Sequence, residues 1–298
     1  MYKGSITALI TPFKNGEIDW KAFDHFVEWQ IEQGTHGVVP CGTTGESPTL
    51  SHDEHKKIIK RCVEIVAKRI PVIAGSGSNS TAEAIELTTE AMEDGADAAL
   101  VVTPYYNKPT QDGLYAHYKV LNDIGIPVII YNIPGRSVVD MSNQTVARLA
   151  LLPNIIGIKD ATADLARPLE LRHLVGDDFC QLSGEDATAT GFLAQGGHGC
   201  ISVASNVAPA LCAQQHEAWQ KGDIKTMEQC RDTLAPLHKA LFVESSPAPV
   251  KYAASQLGLC SDEVRLPLMT ATANCRAVID HALDFAGLRS DKAKAAQG

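Results

Sequence analysis

Eight short apolar runs, each trailed by a stretch with helical periodicity, constrain this chain more than any other feature of its 298 residues. They are SITALI (5–10), HGVVP (36–40), IPVIAG (70–75), DAALVVTP (97–104), IPVIIYN (126–132), NIIGIK (154–159), FCQLSG (179–184) and GCISVAS (199–205). Most are continuously apolar and do not alternate, which is the pattern of parallel strands buried on both faces. Helical patterns cover Asp19–Gln33, Ser51–Arg69 and Thr81–Asp94 between the first runs. Ser51 and Glu54 have capping-box spacing, and Ile58, Ile59, Cys62, Ile65 and Val66 recur on one helical face. Gly95 stands where a helix from Thr81 would end.

Eight βα units in about 220 residues is the count for a (β/α)8 TIM barrel. A doubly wound open sheet is the main competitor, but no Gly-rich phosphate turn follows the first run. After Gly222 the strand signals cease, and 223–242, 247–258 and 266–287 read as helices. The expected architecture is α/β: a catalytic (β/α)8 barrel over residues 1–222 and a small C-terminal helical domain over 223–298, with 289–298 a loose polar tail.

The formal net charge of −9 argues against nucleic acid and anionic membranes as partners, and no basic run reverses that. No segment approaches the roughly 18 apolar residues of a membrane span, and the N-terminal apolar stretch is too short for a signal peptide. The eight cysteines are scattered without a CxxC pair, so buried reduced thiols and a cytoplasmic location are expected. SHDEH (51–55) places its histidines three apart, unlike the HExxH of zinc helices, and no metal site is expected. Asp186 reads as a cap for the helix after the seventh strand, and Glu83 as the partner of Ser80 in a second capping box.

In such a barrel the chemistry collects at the C-terminal ends of the strands. That rule sends CGTTGES (41–47), TPYYNKP (103–109), YNIPGR (131–136), Lys159, SGED (183–186) and Ile201 to one rim. Thr43, Thr44, Tyr105, Tyr106, Tyr131, Arg136 and Lys159 would then face a common pocket. Lys159 ends an apolar strand, and desolvation there disfavours the ammonium form, which is the route to a nucleophilic amine. Ile155, Ile156 and Ile158 would seat the strand and supply its dry surroundings. The GTTG turn offers hydroxyls and free N–H groups to a carboxylate, and Arg136 offers a planar fork to another.

GTTGES, VTPYYNKP, YNIPGR and IGIKDAT, in this order and spacing over essentially the whole chain, resemble the dihydrodipicolinate synthase family. That family lies within the N-acetylneuraminate lyase superfamily of class I Schiff-base aldolases. The resemblance implies a lyase in which Lys159 forms an imine with pyruvate, and the derived enamine condenses with L-aspartate 4-semialdehyde on the diaminopimelate route to L-lysine. No cofactor beyond this covalent imine is implied. Thr43, Tyr106 and Tyr131 match the family's proton relay, and Thr44 its pyruvate-carboxylate site. Arg136 matches the grip on the semialdehyde carboxylate, with Gly184 and Ile201 also at the substrate. Ser47, His52, His55, Asn79, Glu83 and Tyr105 match a feedback site for L-lysine. The resemblance also implies a homotetramer built as a dimer of dimers, with Tyr106 reaching the neighbouring subunit's site. Two alternatives stand beside this reading: another pyruvate aldolase acting on a sugar acid or hydroxy-oxoglutarate, and a non-catalytic ligand-sensing member.

Overall fold

The computed structural model describes residues 1–289, so the expected loose tail lies, from residue 290 on, outside the described residues. Eight parallel strands form one sheet: β1 (Gly4–Ala8), β2 (Gly37–Val39), β3 (Ile73–Gly75), β4 (Ala98–Val102), β5 (Val128–Asn132), β6 (Ile155–Asp160), β7 (Cys180–Ser183) and β8 (Gly199–Ser202). β1 pairs with both β8 and β2. The ring closes between β2 and β3 through a parallel bridge at Val38 and Val72, with the Gly75 N–H donating to the Pro40 carbonyl at 3.0 Å. All eight expected strands are present, which makes the barrel.

The runs are apolar on both faces because each strand is covered twice. Ile6, Val39, Ile73, Leu100, Ile129 and Leu182 fill the barrel interior. Val101, Ile130, Ile155 and Ile158 pack outward against the helices. Burial of this kind contributes roughly 1.5–3 kcal/mol per large side chain. The result revises one expectation. Ile155 and Ile158 belong to the outer layer and only Ile156 leans inward, so the dry surroundings of Lys159 come mainly from other strands.

Helix Trp20–Glu32 starts after its Asp19 cap, and His52–Val66 carries the complete Ser51/Glu54 capping box. The latter stops three residues short of the expected end because Ala67 and Lys68 turn left-handed. Helix Thr81–Glu93 ends before Gly95, whose φ of +88° favours a residue without a side chain. Ser80 caps it from one side only: the Glu83 carboxylate turns to Ser78 and His52, so the reciprocal half of the box is missing.

Asp186 does not cap its own helix either. Its carboxylate is buried against the Ser202 hydroxyl and the N–H groups of Val203 and Ala204, at 2.9 and 3.1 Å for the latter two. Those bonds take Val203 and Ala204 out of the ladder, which is why β8 ends at Ser202 and a 3-10 turn follows.

Helices Ile224–Ala240, Ala248–Gln256 and Ala273–Phe285 complete the described chain. Leu234, Leu237, Val250 and Ile279 share one buried cluster with Phe23, Phe26 and Ile58 of the barrel helices. The last helix begins seven residues later than the expected 266, at a Thr272 cap, because Pro267 and the rim contacts of Arg265 hold the preceding segment extended. Seven of the eight cysteines are buried, the eighth is half-buried, and none is paired. Among the described residues no helix is long and apolar enough to cross a membrane.

Candidate active site

Lys159 lies near the end of β6, one residue before its last, and pairs across the ladder with Tyr131 of β5 and Leu182 of β7. Side chains alternate along a strand, so both Lys159 and Tyr131 turn inward. Both are buried, and the amine sits 4.2 Å from the centre of the Tyr131 ring. Among the described residues Lys159 makes no ion pair, which leaves its Nζ uncommitted. Gly184 lies against its stem: a Cβ there would come within 3.1 Å of Lys159 Cε and 2.7 Å of the Ala161 Cβ. Ile201 is fully buried in the same interior layer as Tyr131 and Leu182.

The GTTGES turn folds over the mouth from β2. Its shape is fixed by Gly45 N–H to Gly42 O at 3.0 Å, Glu46 N–H to Thr43 O at 3.2 Å, and Thr11 Oγ1 to Gly45 O at 2.7 Å. Among the described residues the N–H groups of Thr43 and Thr44 have no protein acceptor, as a carboxylate cradle requires. Beneath the turn, Gly75 leaves no room for a side chain, since a Cβ would stand 2.3 Å from the Cys41 carbonyl oxygen.

A cavity of about 440 Å³ opens beside this turn, with Thr43 and Arg136 on its wall. Arg136 is exposed, and among the described residues its only side-chain hydrogen bond is a long one to the Ser246 carbonyl at 3.4 Å. The same cavity is lined by Ser47, His52, His55, Glu83 and Tyr105, five of the six expected effector residues. His52 Nε2 meets the Glu83 carboxylate at 2.9 Å, and the Ser78 hydroxyl donates to it as well. The Ser78 hydrogen bond chiefly, with help from His52, holds the Glu83 carboxyl below its ordinary range. Burial pulls the His55 imidazole down. Asn79, the sixth, does not line this cavity; its carbonyl accepts from Asn107 Nδ2 at 2.8 Å.

Tyr106 does not line the cavity that Tyr105 lines. It is 88% exposed on a backbone with φ +74°. A large aromatic held in that strained conformation, in water, is not part of this subunit's own constellation. Lys159, Tyr131, Gly184 and Ile201 thus form one group inside the mouth, and Thr43 and Arg136 join the effector candidates on the cavity wall.

Four charged residues at the rim have no role in the sequence reading. Glu46 is fully buried and paired with Lys251 at 2.6 Å, a contact across 205 positions that no local pattern announces. Arg265 donates its backbone N–H to the other Glu46 oxygen at 3.0 Å and its guanidinium to Glu54. Glu185, beside Gly184, has its carboxyl raised chiefly by burial, with Asp186 adding to the rise and Lys159 and Arg136 opposing it.

Residues 1–285 match the model of the dihydrodipicolinate synthetase family. The chain is 66% identical to a 4-hydroxy-tetrahydrodipicolinate synthase of Rhodospirillum centenum, over 97% of this chain and 99% of that one. Its fold is similar to a chloride-inhibited dihydrodipicolinate synthase of Acinetobacter baumannii complexed with pyruvate, at TM-score 0.94 and 47% identity, covering 97% of this chain and 100% of that one. It is equally similar to a monomeric dihydrodipicolinate synthase variant, at TM-score 0.94 and 41% identity over 96% and 97% of the two chains.

Proposed function

The chain belongs to the dihydrodipicolinate synthetase family, and from that premise we propose how its own residues carry the reaction. The activity is that of a Schiff-base lyase, the synthesis of 4-hydroxy-tetrahydrodipicolinate, and it needs no external cofactor. The observation that carries the residue assignment is the buried, unpaired Lys159 amine over the Tyr131 ring at the barrel mouth.

The Lys159 amine adds to the pyruvate carbonyl, and loss of water gives an imine. The imine draws electrons from the pyruvate methyl, which loses a proton and becomes an enamine. The enamine carbon attacks the aldehyde of L-aspartate 4-semialdehyde. The semialdehyde's own amine then displaces the lysine, closing the ring and freeing Lys159 for the next turnover. Tyr131 exchanges the protons at the imine centre, with Thr43 linking it to the mouth. The free N–H groups of Thr43 and Thr44 receive the pyruvate carboxylate, and Arg136 grips that of the semialdehyde.

Tyr106 serves a neighbouring copy. Its exposure and its absence from the lining of its own pocket support an assembly in which it completes a partner's relay, as in a dimer of dimers. Since a monomeric variant shares the fold, the fold alone does not dictate assembly, and sedimentation with activity across a dilution series tests it. L-lysine is the effector of the cavity wall: His52, Glu83 and Tyr105 offer an acid and donors to an amino acid. Lysine without effect on the rate at saturation would remove that role.

Borohydride reduction in the presence of pyruvate, with the adduct mapped by mass spectrometry, tests the central assignment. An adduct at Lys159 with semialdehyde turnover is the expected result. An adduct on another lysine would overturn the assignment.

A further inference from the structure

The strand positions that follow Tyr131 and Lys159 are Asn132 and Asp160, and these two are themselves register partners. By alternation they face away from the mouth, under the helical layer. Asn132 is fully buried. Its Oδ1 accepts the Met141 N–H at 3.0 Å, and its Nδ2 donates to Asp140 Oδ1 at 2.8 Å. Asp160 Oδ1 accepts the Thr162 N–H at 2.8 Å, and its Oδ2 accepts from Arg167 Nε at 3.1 Å.

One guanidinium joins these two side chains. Arg167 donates Nη1 to both Asp140 oxygens at 3.1 Å and Nη2 to the Met141 carbonyl at 2.6 Å, while Nε holds Asp160. Asn132, Asp140, Arg167 and Asp160 therefore form a series of side-chain bonds, closed into a ring by the Asn132–Asp160 ladder pairing, that spans the ends of β5 and β6. The arginine side chain is 12% exposed and that of Asp160 9%, so water competes little for the bond between them. Its fork suits the task, since a lysine could not reach all three sides with fixed angles.

We propose that Arg167 is a positioning residue for the Schiff-base reaction: from outside the barrel it locks the relative height of the Lys159 amine and the Tyr131 ring. The inference rests on the assignment of Lys159 and Tyr131 above. Neither strand end can slide or splay without breaking charge-assisted bonds at Asp140, Asp160 or Met141. A misplacement of a reacting group by about 1 Å is enough to cost on the order of a hundredfold in rate.

Arg167→Met and Arg167→Lys are compared with the parent chain by pyruvate–borohydride trapping, steady-state kinetics and thermal melting. In Arg167→Met the trapping rate per folded molecule and kcat fall by about tenfold or more, and KM for pyruvate moves less than threefold. Arg167→Lys recovers part of the loss. Asp140→Asn, at a more exposed member of the ring, shows a smaller loss of the same kind and covers the case in which Arg167→Met does not fold. A lower melting temperature with trapping and kcat within twofold of the parent overturns the inference and leaves Arg167 a structural residue. Absence of a Lys159 adduct in the parent overturns the assignment beneath it instead.

Discussion

Lys251 and Glu46 meet at 2.6 Å with both side chains fully buried, tying the C-terminal helices to the turn that carries Thr43 and Thr44. Phe13 covers the pair, with the Lys251 amine 4.2 Å and the Arg265 guanidinium 4.3 Å from its ring centre. Burial pulls the Lys251 ammonium below its ordinary range, and Glu46 pushes back. Removing one partner of such a pair strands the other charge. Lys251→Met is expected to cost about 3–5 kcal/mol of stability, read from urea melts. The double variant Glu46→Gln, Lys251→Met leaves no buried charge and recovers much of that loss. It also loosens the turn, so KM for pyruvate rises even where stability returns.

Gly184 stands where any side chain would press on Lys159. In Gly184→Ala the new methyl would lie 2.7 Å from Ala161 Cβ and 3.1 Å from Lys159 Cε, and the tight Gly184 N–H bond to the Asp160 carbonyl at 2.6 Å limits backbone retreat. Overpacking of this kind costs about 1–3 kcal/mol. The larger effect falls on chemistry: kcat and imine trapping are expected to drop by about tenfold or more. Kinetics per folded molecule, corrected by a melt of the same preparation, check it, and an unaltered kcat would remove the contact from the mechanism.

What the sequence discloses and what it hides divide along physical lines. The barrel is legible because parallel strands covered on both faces must be apolar throughout, and the eight runs say so. Lys159, Tyr131, Arg136 and the GTTG turn are legible because strand ends converge on one rim. The Phe13–Lys14 and Glu17–Ile18 hairpin lies outside the eight apolar runs, although Asn15-Gly16, at φ +54° and +84°, is a strong short hairpin signal. Glu46 with Lys251, and Arg167 with Asp160 and Asp140, were not legible. Long-range ion pairs leave no periodicity, and each member alone looks like an ordinary surface charge. Asp186 and Glu83 misled for a related reason: a short acid beside a helix start is usually a cap, but a stronger donor set waited across the fold.

Acid should unfold this protein in two stages. Burial lowers the imidazoles of His117 and His216 from 6.5 to about 4; for His216 the neighbouring His36 adds to this and Asp186 opposes it. Each also has a buried ring nitrogen with no hydrogen-bond partner among the described residues, Nε2 of His117 and Nδ1 of His216. The unfolded chain therefore binds more protons than the folded one between pH 6.5 and 4, and stability falls as pH drops through that window, by up to about 3 kcal/mol per histidine. A second loss follows below pH 4.5, because Glu54 is held at about 2, chiefly by its hydrogen bond to Arg265, and its contribution disappears as pH falls toward that value. Urea melts from pH 7 to 4 are expected to show the first slope. His117→Leu should flatten it, and a slope unchanged in that variant would clear His117 of the effect.

Arg136 lines the cavity with, among the described residues, only the weak Ser246 contact to satisfy it, so its fork is available to a ligand. A carboxylate held by two such charge-assisted bonds loses about 1.5–3 kcal/mol when the guanidinium is removed, which is roughly a 10- to 150-fold change in affinity. Arg136→Ala is expected to raise KM for the semialdehyde by that order while pyruvate trapping at Lys159 continues at the parent rate. Arg136→Lys keeps the charge without the planar pair of donors and should fall between the two. Varying each substrate in turn separates the outcomes. A rise in the pyruvate KM instead would move Arg136 to the first substrate, and unchanged kinetics would remove it from the site.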